Sequence, residues 1–286
     1  MTDDAQDPVA DAALKIMRHR HYHRALMHYV VSMSQADWRN TPALVTKIMS
    51  QGPRIRLVLY IVWLQVTADP ANPDDGPTLN RILEICAIRN ETSQRAVYAM
   101  LGILRLGRQI ELVRGSRDKR LKIYRPSRTL INLVKDMFVR SFGAFDIIFE
   151  NAHWAERAQA DDAVFREVYI ACGRSFVDGT ALVSERFPDL HAVMMMDGGL
   201  TVLLQLLIAH LERRPLQSTV ALHRITSVSR TQVWQIIRKA ADMGLVRLDE
   251  NGRVVDVSAA SAVMARYVAT ELAFYAVNMD YVRYLA

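Results

Sequence analysis

Gln94, Arg95 and Tyr98 follow Ser93 within five residues, and Arg230, Thr231, Gln232, Gln235 and Arg238 follow Ser229 in much the same way. Arginine and glutamine can make bidentate hydrogen bonds to guanine and adenine edges in a major groove. A serine hydroxyl at the head of each group can accept from the free amides of a helix's first turn, so Ser93 (or Thr92) and Ser229 are expected N-caps. Downstream, residues 105–128 hold nine basic side chains (Arg105, Arg108, Arg114, Arg117, Lys119, Arg120, Lys122, Arg125, Arg128) against Glu111 and Asp118, a local net of +7. Residues 224–253 hold six (Arg224, Arg230, Arg238, Lys239, Arg247, Arg253) against Asp242, Asp249 and Glu250, a net of +3. Cations this dense suit a polyanion, because each one set against a phosphate releases a condensed counterion.

Other chemistry is thinner. His19, His21, His23 and His28 cluster near the N-terminus, and His19 with His23 has the i, i+4 spacing of a metal pair. No carboxylate or cysteine completes a metal site locally, and Arg18, Arg20 and Arg24 would repel a cation, so a basic face for phosphate or a partner helix is the expected role. Cys86 and Cys172 sit in apolar helical patterns and read as buried core residues of a reducing compartment. Met194, Met195 and Met196 read as core filling, with an effector pocket as the alternative. There is no Gly-rich phosphate loop, no nucleophile elbow and no paired acid and base at a recognisable spacing, so no enzyme and no cofactor is expected.

These residues must be carried by elements whose periods differ. Val97, Met100, Leu101 and Leu104 make an i, i+3, i+4, i+7 stripe, as do Val233, Ile236, Ile237 and Ala240, so each group is predicted to sit on an amphipathic helix, over 93–106 and 229–243. Tyr98 and Trp234 border the stripes and are expected to pack, although either could stack on a base. The period then changes to alternation at 109–113 with 120–124, and at 245–248 with 253–257, which predicts two hairpins. Further helices are expected at 10–33, 42–51, 54–66, 79–89, 127–148, 162–176, 179–187, 200–213, 218–225 and from 261 onwards, with a turn-rich loop over 67–78. The chain is thus mainly α with small β-hairpin wings.

A displacement of 136 superimposes Ser93 on Ser229, Val97 on Val233, Tyr98 on Trp234, Met100 on Ile236 and Leu101 on Ile237. Displacing by 137 matches Leu83, Ile85 and Ile88 to Val220, Leu222 and Ile225. A period this long, present twice, indicates duplicated modules rather than a solenoid. The expected organisation is an N-terminal helical arm (1–40), a first module (41–126), a helical linker region (127–199), a second module (200–258) and a C-terminal helix (259–286).

The stretch 92–127, with its helix, Leu-Gly turn, strand, Arg-Gly-Ser-Arg-Asp-Lys-Arg loop and returning strand, resembles the winged helix-turn-helix modules of MarR-type (multiple-antibiotic-resistance) regulators, and 229–248 is similar to the same template. The resemblance implies tandem winged helix-turn-helix domains joined by helices, binding double-stranded DNA as a transcriptional regulator. Ser93, Gln94, Arg95, Tyr98, Arg230, Thr231, Gln232, Gln235 and Arg238 would read the groove, and Arg114, Arg117, Lys119, Arg120, Lys122, Arg247 and Arg253 would grip phosphates. A MarR-type protein usually carries one module per chain and dimerises, so two modules depart from the pattern and leave a homodimer and a small-molecule effector as open partners. A plasmid-type replication initiator and a winged-helix protein-interaction scaffold are the alternatives. The formal net charge of +6, the acidic N-terminus without a signal-peptide pattern, and apolar runs too short for a bilayer point to a cytoplasmic protein.

Overall fold

The computed structural model describes residues 7–35, 52–89, 92–178, 180–226 and 228–285. The helix expected over 42–51 lies outside them. The chain divides into two compact units, one formed by Met1–Ala36, Val139–Arg157 and Leu182–Ala286, the other by Asp37–Phe138 and Ala158–Ala181. The five segments expected along the chain regroup accordingly. Residues 127–199 are shared between the units instead of forming a linker of their own.

In the unit containing residues 52–89 the first described element is α1 (Gly52–Val66), whose Leu57, Val58, Tyr60, Ile61 and Leu64 are wholly buried. Helix α2 (Leu79–Arg89) buries Ile82, Ile85 and Cys86, and α3 (Gln94–Leu106) buries the expected stripe of Val97, Met100, Leu101 and Leu104. Strands β1 (Ile110–Arg114) and β2 (Lys122–Pro126) then form an antiparallel hairpin running from Ile110 opposite Pro126 to Arg114 opposite Lys122. Both strands lie one or two residues later than the alternation suggested. Thr78 bridges to Ile123, so the residue just before α2 adds a third, one-residue rung to the hairpin. Helix α4 (Asp162–Gly173) packs on α1 through Tyr169, whose hydroxyl donates to the Leu59 carbonyl at 2.8 Å. A side chain at Gly173 would collide with the Trp63 ring, its Cβ falling 2.1 Å from Cδ1, so this close approach requires glycine.

The other unit opens with two helices, α5 (Pro8–Arg18) and α6 (Tyr22–Ser34), where one helix over 10–33 was expected. The break falls at His19, which caps α5 in an extended conformation and accepts the His21 amide at Nδ1. Helix α7 (Gly199–Leu211) is almost entirely buried, and α8 (Thr219–Thr226), α9 (Arg230–Asp242) and the strands β3 (Arg247–Leu248) and β4 (Val254–Asp256) follow it. The long α10 (Ser258–Asn278) packs along α5. At its centre, buried Glu271 accepts from the hydroxyls of Tyr29 (2.8 Å), Tyr275 (2.9 Å) and Ser141 (3.1 Å), a fully hydrogen-bonded interior carboxylate.

Two short helices were not anticipated, Trp154–Ala160 and Pro188–Met194. Conversely, the helix expected over 179–187 reduces to a 3-10 turn at Val183–Arg186. Phe187 precedes Pro188 and takes a non-helical conformation (φ −128°, ψ 71°), as the proline ring demands of its neighbour. Among the described residues no single helix is long and apolar enough to cross a membrane, and Pro188–Met194 with Gly199–Leu211 approaches that length only across a 113° bend.

Candidate nucleic-acid interface

Ser93 and Ser229 begin α3 and α9 with matching geometry. Ser93 Oγ accepts the amide three residues on at 3.3 Å, and Ser229 Oγ does so at 3.2 Å. The matching persists at the other end of each helix. The Gln109 amide donates to the Leu104 carbonyl at 2.8 Å, and 136 residues later Leu245 donates to Ala240 at 2.8 Å. In both, the residue closing the helix has positive φ, Arg108 at 54° and Gly244 at 70°. Helices α3 and α9 therefore start and close with matching hydrogen bonds, whereas the hairpins after them differ, the second being shorter and interrupted by a register shift at Arg247 and Leu248.

With the apolar stripe buried, α3 presents Gln94, Arg95, Tyr98 and Ala99 to solvent, followed by half-exposed Gly102. A Cβ at Gly102 would meet nothing within 4 Å, so no packing demands the glycine. On α9 the exposed face carries Arg230, Thr231, Trp234, Gln235 and Arg238. Three residues depart from expectation here. Tyr98 and Trp234, expected to pack, are 46% and 47% exposed at equivalent positions, because each lies just outside its stripe. The Arg238 guanidinium stands 5.1 Å over the Trp234 ring, a cation–π pair that keeps both at the surface. Gln232, expected to face outward, turns instead to donate to the Asp197 carbonyl at 3.3 Å, because the Asp197–Gly198 turn offers an acceptor beside the helix start.

Arg114, Arg117, Lys119, Arg120 and Lys122 are all exposed on the first hairpin, and none has an ion-pair partner among the described residues. Arg114 and Lys122 stand directly opposite one another. Like charges in that position destabilise a hairpin. The loop joining the strands is held from outside the hairpin. Asp74, in the 67–78 loop, accepts the Ser116 amide and hydroxyl and, at 2.9 Å, the Arg117 amide, while the Arg125 guanidinium donates to the Pro73 carbonyl at 3.1 Å. Sequence reading did not single out Asp74. Its partners lie about forty residues away, and only the abundance of aspartate in that loop hinted at a role.

The second hairpin is a weaker cation. Arg247 and Arg253 are exposed, but Arg247 faces Asp256 across the ladder and its positive charge helps hold that carboxyl below the usual range, after the hydrogen bonds from Ser258. The histidines gather around the α5–α6 break, where His21 Nε2 lies 3.0 Å from the Glu150 carboxylate. Among the described residues no group of three or more His, Cys, Asp or Glu side chains is placed to hold a metal. Comparison of the chain with protein-family models, with curated proteins and with solved structures gives no match.

Proposed function

We propose that the chain is a sequence-specific, double-stranded-DNA-binding transcriptional regulator of the cytoplasm, built on tandem winged helix-turn-helix modules of MarR-like type. The observation that carries this reading is the first hairpin: five exposed cations without ion-pair partners among the described residues, two of them opposed across the ladder, project beside a helix whose outward face bears Gln94, Arg95 and Tyr98. On this reading the hairpin is a wing that fixes position on phosphates, and α3 reads base edges. The second module, with Arg247 partly neutralised, refines register and contributes less affinity.

The test is duplex binding followed across salt concentration. Each neutralised phosphate contributes about −0.9 to the log–log slope, so replacing Arg117, Lys119 and Arg120 together by alanine should flatten the slope by roughly 2–3 and weaken all sequences alike. Undetectable or salt-independent binding by the native chain would remove the reading.

A second reading has its own observation. Exposed tryptophan stacked with arginine is the composition of protein-binding hot spots, and α9 presents such a pair in Trp234 and Arg238. If Trp234→Ala leaves DNA binding unchanged, the second module is better read as a partner-binding surface.

A further inference from the structure

The Ser116 and Arg117 amides are consecutive along the chain and converge on one carboxylate, together with the Ser116 hydroxyl. Successive backbone N–H groups that point into one concavity form a nest, a recurrent binding site for oxyanions. The turn is tight: a Cβ at Gly115 would stand 2.5 Å from the Asp118 carbonyl oxygen and 3.1 Å from Leu121 Cβ. It is closed by hydrogen bonds from Gly115 to Leu121 and from Leu121 to Asp118, each 3.0 Å. Arg114, Arg117, Lys119, Arg120 and Lys122 are exposed on the same hairpin, and the carboxylate that fills the turn comes from a different segment of the chain. Asp74 gains enough from the Ser116 and Arg117 amides that its carboxyl is held below the usual carboxylate range although it is only half-buried. A site with that preference for an anion, beside cations that have no ion-pair partner among the described residues, has the chemistry of a phosphate receptor occupied by a substitute.

We propose that the tip of the first hairpin is a phosphate-oxyanion site, and that Asp74 is an intramolecular occupant which a phosphate oxygen displaces. The inference rests on the proposed DNA-binding function only for the source of that phosphate; the nest itself would take free phosphate as well. Asp74 would then act as a built-in competitor. It lowers affinity for any phosphate chain that cannot displace it, and it holds the loop in shape until one does.

The test uses the full-length chain and two probes. With inorganic phosphate, the amide resonances of Ser116 and Arg117 should move saturably in Asp74→Ala, with the native chain needing about tenfold more phosphate for the same change. Glu111→Gln removes the same charge from an exposed site on the same hairpin and should behave like the native chain. Asp74→Asn, which keeps one acceptor oxygen, should fall between and guards against collapse of the loop. With duplex DNA, Asp74→Ala should bind several-fold more tightly than Glu111→Gln, with a salt slope steeper by about one phosphate's worth, −0.9. Phosphate shifts at these amides without DNA binding by any variant would support the nest and remove the DNA reading. Absence of the shifts, or weaker DNA binding with an unchanged slope, would overturn the proposal and leave Asp74 as a brace for the hairpin.

Discussion

Replacing Gly102 by alanine should stabilise the protein while impairing the DNA binding proposed for it. The residue lies inside α3, between buried Leu101 and Leu104. A Cβ there would touch nothing within 4 Å, so it adds neither a clash nor a packing contact. What remains is the backbone term: glycine costs about 0.8–1 kcal/mol relative to alanine in a helix interior. For a unit of this size that gain should raise the melting temperature by roughly 3–6 °C. The chain thus forgoes stability at a position where the fold asks for no glycine, and on the proposed function the exposed face gives the reason. Next to Tyr98 and Ala99, a missing side chain lets the helix axis approach whatever docks there, and a methyl should cost about 1 kcal/mol of duplex affinity, roughly fivefold. Thermal denaturation and fluorescence anisotropy on the same preparation measure the two effects. Higher stability with unchanged DNA affinity would refute the docking face, and unchanged stability would refute the helix argument.

The same reasoning makes further expectations. Arg108 and Gly244 occupy equivalent left-handed positions, so Arg108→Gly should gain, and Gly244→Ala lose, about 1 kcal/mol, read from urea midpoints. Ser93→Ala and Ser229→Ala should each cost about 1 kcal/mol and cost it equally, since the two caps share one geometry; a large inequality would show that one hydroxyl has another task. Leu101→Asp or Ile237→Asp should destabilise its unit by several kcal/mol, because a charge would enter a stripe only 2–3% exposed; unaltered thermal unfolding would show the stripe to be misassigned.

The legible parts of the fold were those whose signal is local. The stripes of α3 and α9, their serine caps and the polar faces between them can be read from a dozen residues, because a buried stripe constrains its own sequence at helical spacing. What escaped depended on partners far along the chain. The helix Trp154–Ala160 starts on a carboxylate eight residues upstream, Asp146, which accepts the Trp154 amide at 2.8 Å and the Ala155 amide at 2.9 Å; no capping residue stands where a local reading looks for one. Gln232 was turned from groove to scaffold by a carbonyl thirty-five residues away. The basic hairpin was visible as charge, but the loop that holds its tip was not, because nothing local distinguishes Asp74 from the neighbouring Asp69 and Asp75. Tyr98 and Trp234 show a subtler limit: one residue's shift around the helix separates packing from exposure, and propensity does not resolve it.

The interleaving of the two units has a consequence for how the chain is made. Because Met1–Ala36 belongs with Leu182–Ala286, α5 emerges from the ribosome long before α10, the helix it packs along. The unit bearing the basic hairpin is complete once residue 181 has cleared the exit tunnel, at about 5–20 residues per second several seconds ahead of the C-terminus. It can close while still tethered, whereas the apolar side of α5, with Val9, Ala12, Ala13 and Ile16, stays uncovered until the last hundred residues are translated. Nascent chains stalled far enough beyond residue 181 for it to clear the tunnel should therefore hold a protease-resistant core without their first two helices, and should be the species most in need of a chaperone.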